Sequence, residues 1–198
     1  MIDESINNLK DDFLALCREK IKRDGINELL EWLENDSDFF TAPASTRFHG
    51  NHHGGLLEHS MNVYNALCSL SGLYPELQIP EETIAIVALF HDICKANYYK
   101  SDTRNVKNDA GKWEKVPCYT TDDQFPIGHG EKSVILILKC MDLTTDEIMA
   151  IRWHMAGYDA AVKGGDQGIS KAYEICPVAV LLHLADMLAT YLMEKRNG

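Results

Sequence analysis

An apolar run, Thr83 to Phe90 (TIAIVALF), ends on two polar residues, His91 and Asp92. A run of this kind reads as a helix with little contact with water. A polar side chain set among such residues must be paired or bound to something. The arrangement recurs along the chain. His59 lies 32 residues before His91, His129 lies 38 after it, His154 another 25 on, and Asp186 a further 32. Each falls in its own helical segment or at a helix end. The pattern predicts an all-α bundle that converges on a buried polar centre.

Helical periodicity runs through most of the sequence. Residues 4–23 and 26–34 read as amphipathic helices, the second with Ile26, Leu29, Leu30 and Leu33 on one stripe. A helix over about 55–72 places His59 beside its apolar face. Pro80 and the two acids after it suit the start of a helix that continues to about Asn97. Helices resume over about 130–142 and 145–155, the latter opened by a capping box of Thr144 and Glu147. A glycine-bearing loop, 157–168, then precedes a last helix over about 177–194.

Between Tyr98 and Gly128 the pattern changes. NVKNDAGKWEKV reads as two short strands around an Asp-Ala-Gly turn, a small inserted β-hairpin. The segment carries Tyr98, Tyr99, Trp113, Tyr119 and Phe125 among five bases, so it is expected to overhang the centre as a lid. One all-α domain accounts for the whole. Residues 1–40 form a helical extension packed on it, and residues 41–198 form its body.

The chain has 198 residues and a net charge of −11, with eleven acids against five bases in residues 1–40. That balance argues against a long nucleic acid as partner, which needs clustered Lys and Arg. No apolar run approaches the roughly 18–20 residues that span a bilayer, and the acidic start lacks the apolar stretch of a secretory signal. Six scattered cysteines form no CxxC pair, as expected of reduced thiols. The expectation is a cytoplasmic protein without a membrane partner.

Imidazoles and carboxylates bind borderline divalent metals, and two neighbouring metals need a shared oxygen bridge. As helix neighbours, His91 and Asp92 point about 100° apart. His91 can then serve one metal while Asp92 reaches between two. His59 and Asp186 would complete the first protein shell, and His129 with His154 would supply the second. Singly, each residue has a plainer role as a hydrogen-bonded structural group; jointly they predict a metal centre with positions open for water or substrate. Cys94, in the same segment, is expected to act as a small hydrophobe.

The segments GGLLEHS (54–60), LFHDICK (89–95), GHGEKS (128–133), WHM (153–155) and HLADML (183–188) resemble those of the HD superfamily of metal-dependent phosphohydrolases. The resemblance covers roughly residues 43–192. It implies metal ligands His59, His91, Asp92, His129, His154 and Asp186, with Asp92 and Lys95 as catalytic residues, the lysine contacting the substrate's phosphate. The pair His129 and His154 is similar to the binuclear branch, and so implies two divalent ions (Mn, Fe, Ni, Zn or Mg). The chain lacks the GYP tripeptide of the signalling phosphodiesterases, with AGY (156–158) and GGD (164–166) in that region.

The expected activity is hydrolysis of a phosphate mono- or diester, with a small phosphorylated substrate, a nucleotide or short oligonucleotide. Two alternatives stand beside it. The same six ligands hold two irons in HD-fold oxygenases, and a catalytically idle HD module would bind a nucleotide without turnover.

Overall fold

All eight residues from Thr83 to Phe90 are buried in the computed structural model, which describes residues 2–194. They form most of helix α4 (Glu81–Phe90), the central post of a helical bundle. Burying each of its large aliphatic side chains contributes about 1.5–3 kcal/mol relative to exposure. Against this post pack α3 (Gly55–Leu73), α6 (Thr145–Trp153) and α9 (Pro177–Leu188), and α5 (His129–Leu138) lies against α6. These five elements carry the polar residues singled out above.

The N-terminal helices α1 (Ile2–Lys20) and α2 (Ile26–Asn35) close one side of the same core. Phe13 of α1 packs its ring against those of Phe39, Phe40 and Phe90, with centroids 5.4–6.0 Å apart. In α2 the stripe Ile26, Leu29, Leu30 and Leu33 is the buried face. The turn between the two helices is tied across the bundle: Arg23 pairs with Glu147 at 2.5 Å and with Glu82 at 3.3 Å.

The insertion is an antiparallel hairpin of β1 (Tyr99–Lys107) and β2 (Trp113–Thr121), in register from Tyr99 opposite Thr121 to Lys107 opposite Trp113. Its strands are longer than the NVK and WEKV segments, because pairing extends back to the bundle. Asn108 organises the turn, accepting backbone hydrogen bonds from Ala110 and Lys112. Most of the hairpin is exposed, and Trp113 at its far end is 68% accessible, with Lys107 Nζ 5.3 Å from its ring. The far end therefore stands in solvent, and only the base meets the bundle.

α1 and α5 end three and four residues short of the periodic reading, at Lys20 and Leu138, and three further places depart from it. The helix expected to reach Asn97 ends at Phe90, and a 3₁₀ turn follows at Ile93–Lys95. The expected 157–168 loop contains a short helix, α7 (Ala160–Lys163), capped by the Asp159 carboxylate, and is followed by α8 (Gly168–Ile175). The last helix leaves α-geometry at Leu188 and continues as a π-helical turn, Ala189–Met193. Among the described residues, no single helix is long and apolar enough to cross a membrane.

Candidate metal centre

The break after Phe90 creates the centre. His91 keeps helical geometry, but Asp92 turns to φ −104° and ψ 15°. Both side chains therefore point inward instead of diverging by a helical 100°, and His91 Nε2 lies 3.5 Å from Asp92 Oδ2. His59, on the buried face of α3, presents Nε2 to the same oxygen at 3.4 Å, to His91 Nε2 at 3.3 Å and to Asp186 Oδ1 of α9 at 3.3 Å. The other carboxylate oxygen faces the opposite way. Asp92 Oδ1 lies 2.7 Å from His129 Nε2 and 3.5 Å from His154 Nε2. All six residues converge, divided by one carboxylate into two sets.

The polypeptide sets this geometry with close backbone approaches. His129 opens α5, and the next residue, Gly130, lies against the end of α6: a Cβ there would sit 2.3 Å from the Arg152 carbonyl oxygen. Any larger residue would push His129 away from His154. Gly55 plays the same part at the start of α3, where a Cβ would meet the Gly50 carbonyl oxygen at 2.0 Å. That contact holds loop 41–54 down and sets the His49 ring 4.8 Å from that of His59.

Outer hydrogen bonds fix the imidazole tautomers. His91 Nδ1 donates to the Ala88 carbonyl at 2.9 Å, and His154 Nδ1 to the Ile151 carbonyl at 2.7 Å. A carbonyl only accepts, so Nδ1 carries the proton in each ring and Nε2 is the atom turned to the centre, free to act as a ligand. His59 Nδ1 donates to Glu194 Oε1 at 2.8 Å. The π-helical turn and the extended backbone of Glu194 bring that carboxylate back to α3. His183 Nδ1 donates to the His154 carbonyl at 2.8 Å, one layer further out.

Three carboxylates around buried imidazoles demand positive charge. Burial works to keep His59 neutral, but Asp186, Asp92 and Glu194 outweigh it and hold its pKa well above the usual value. Burial would likewise raise Asp92, yet Lys95, His91 and the facing imidazoles hold it well below the carboxylate range. Lys95 Nζ lies 2.6 Å from Asp92 Oδ2, and this pairing keeps the lysine charged despite its burial. His154 Nε2 is buried without a hydrogen-bond partner, since 3.5 Å is too long for one. An inward lone pair with no donor, beside carboxylates that attract cations, fits a divalent ion. His59, His91 and Asp186 group as one ligand set, and His91, Asp92 and His154 as another.

Some nearby residues left little trace in the sequence. Glu194 sits in the polar stretch MEKRNG, which reads as solvated, and only its return to α3 gives it a role. His49 is half-buried, and burial lowers its pKa to about 4, so it faces the centre as a neutral ring. Cys94 Sγ is 3.3 Å from His129 Nδ1, but burial pushes the thiol up to about 12, which leaves it protonated beside the histidine. His52 and His53 are exposed, with His52 Nε2 3.2 Å from Glu58.

Two cavities open on the centre. One, of about 390 Å³, is walled by Phe48, Met155, Tyr158, Met187 and Tyr191 and reaches Asp92, Lys95 and His129. The other, of about 310 Å³, lies under the base of the hairpin, between Thr46, Tyr98, Tyr99, Thr121 and Lys132. Lys132 pairs there with Asp123 and holds its ammonium 5.1 Å from the Tyr98 ring.

A family model, HD domain, matches residues 56–191, more than two-thirds of the chain. The chain belongs to the HD domain family, within the superfamily of metal-dependent phosphohydrolases. Divalent metals are what HD domains bind, and the clustered His and Asp side chains are compatible with such a site. Searches among curated proteins and among solved structures returned no match.

Proposed function

We propose that the protein is a binuclear metal-dependent phosphohydrolase acting on a small phosphate ester, with a nucleotide as the favoured class. One observation carries the reading: the two oxygens of Asp92 face two separate sets of imidazoles, His59 with His91 and His129 with His154. A single carboxylate placed this way suits a bridge. His59, His91 and Asp186 would hold one ion and His129 with His154 the other, both sharing Asp92. Bound divalent ions supply water of lowered pKa and offset the charge that builds on phosphoryl oxygens.

The remaining work falls to the chain's own side chains. Lys95 stays charged and stands beside Asp92 at the meeting of both cavities, where it can take a phosphoryl oxygen. Glu194 holds the His59 ring by its Nδ1 proton and keeps Nε2 turned inward. Phe48, Tyr158 and Tyr191 are 46–68% exposed at the rim of the larger cavity, an apolar edge that suits stacking on a base. The partner on this reading is a small phosphorylated molecule.

Protein freed of metal by chelation should be inactive on a panel of nucleotides and aryl phosphates, and Mn²⁺ should restore turnover. Lys95→Met should keep its metal and lose at least tenfold in kcat/KM. Iron-loaded protein that consumes O₂ while failing to release phosphate or alcohol from any ester would replace this reading with the oxygenase one. Metal-loaded protein that binds nucleotide without turnover would make it a sensor.

A further inference from the structure

The two cavities are separate spaces that meet at one place. His49, Lys95, His129 and Met155 line both, so the partition between them is the edge of the centre itself. Each volume, about 390 and 310 Å³, is in the range of a small-molecule site. A phosphate monoester has one substituent and needs one such space. We infer that the substrate is a phosphodiester, seated with its phosphate against Lys95 and one ester arm in each cavity. This inference rests on the hydrolase reading above and narrows it.

The walls differ, and so should the arms. The larger cavity is aromatic and thioether-rich, with Phe48, Tyr158 and Tyr191 at its rim and Met155 and Met187 inside. These surfaces suit a flat, weakly hydrated group such as a nucleobase. The smaller cavity offers hydroxyls from Thr46, Thr121 and Tyr99 and the ion pair of the buried Lys132 ammonium with Asp123. Tyr99 Oη already leans on the Ala44 carbonyl at 3.4 Å, which fixes that wall to loop 41–54. A polar arm, a sugar or a second nucleotide, fits there. In the reaction, water oxygen bonds to phosphorus and the phosphorus–oxygen bond to one arm breaks. That arm leaves as an alcohol carrying a proton from the water, and the other arm remains on a phosphate monoester.

The probes are p-nitrophenyl phosphate and the p-nitrophenyl ester of thymidine 5′-phosphate, given to Mn²⁺-loaded protein; both release the same chromophore. The expected result is a kcat/KM at least tenfold higher for the diester. Thr121→Trp, at a strand end where an aromatic residue is well tolerated, fills the smaller cavity. It should lower the diester kcat/KM at least tenfold while the Mn²⁺ content and the Mn²⁺ Kd stay within twofold of the wild type. A monoester hydrolysed as well as the diester, or an unchanged diester kcat/KM in Thr121→Trp, would overturn the inference and leave the hydrolase reading standing. Hydrolysis of neither ester by metal-loaded, folded protein would remove both.

Discussion

The buried charges around Glu147 and those around Asp92 are built on different terms. In one, Glu147 is fully buried and every acceptor position is met. Its Oε1 accepts from Thr83 and Arg23, and its Oε2 accepts from Arg23 and the Thr144 backbone amide. Arg23 also donates to the Asp142 carbonyl at 2.9 Å and to Glu82. In the other, around Asp92, lone pairs are left over. His154 Nε2, His49 Nε2 and Glu194 Oε2 are buried without hydrogen-bond partners. The saturated cluster ties the turn between α1 and α2 to α4 and α6. The unsaturated one leaves coordination positions for something that is not protein.

The largest test of that contrast falls on the saturated cluster. Arg23→Met leaves Glu147 charged and unpaired in the core, and should cost about 3–5 kcal/mol of stability in urea unfolding. Arg23→Met/Glu147→Leu should recover most of the loss but remain about 1 kcal/mol short, because the capping box of α6 goes with Glu147. The stabilisation by Mn²⁺, about 2.7 kcal/mol for each bound ion at a hundredfold excess over Kd, should be the same in the single variant as in the wild type. A lost metal increment would mean the two clusters are not independent.

The same pair sharpens the comparison by pH. Burial would raise the Glu147 carboxyl, but Arg23 and its hydrogen bonds hold its pKa below the usual 4.5. A carboxyl with a depressed folded pKa contributes stability that is present above 4.5 and lost as pH falls through the folded value. Wild-type unfolding free energy should therefore decline on that acid limb. In Arg23→Met/Glu147→Leu the decline should be shallower, and an unchanged slope would assign acid sensitivity elsewhere.

Smaller effects belong to the outer layer of the metal centre. Glu194→Gln keeps an acceptor for His59 Nδ1 but removes its charge, and should weaken Mn²⁺ binding about tenfold; Glu194→Ala should approach a hundredfold. Calorimetric titration checks both. The smallest effect should come from Trp113→Ala at the hairpin's far end, within about 0.5 kcal/mol in stability. It should leave turnover unchanged, because only the hairpin's base reaches the cavities. A change in KM there would restore the lid over the centre.

The six converging residues were legible because each sets a polar side chain in a helical segment or at the end of one, beside apolar neighbours. The capping box of α6 was legible for a similar reason, since Thr144 and Glu147 have fixed spacing. Arg23 and Glu194 were not. Their partners lie 124 and 135 residues away, and each sits in a polar stretch that local pattern reads as solvated. The helix break at Asp92 was hidden because Ile93 and Cys94 continue the apolar run. Its consequence is the divided carboxylate, which spacing alone assigned to helix geometry. Segment 157–175 escaped for a different reason: its glycines mark a loop, yet Asp159 caps α7 within it and α8 follows.

Metal stoichiometry tests the centre most directly. Protein loaded with Mn²⁺, freed of excess ion and analysed by mass spectrometry of its metals should carry two ions per chain. His129→Ala should carry one and remain folded. One ion in both proteins would contradict the account, because Asp92 would then serve a single metal and the second set of imidazoles would be structural.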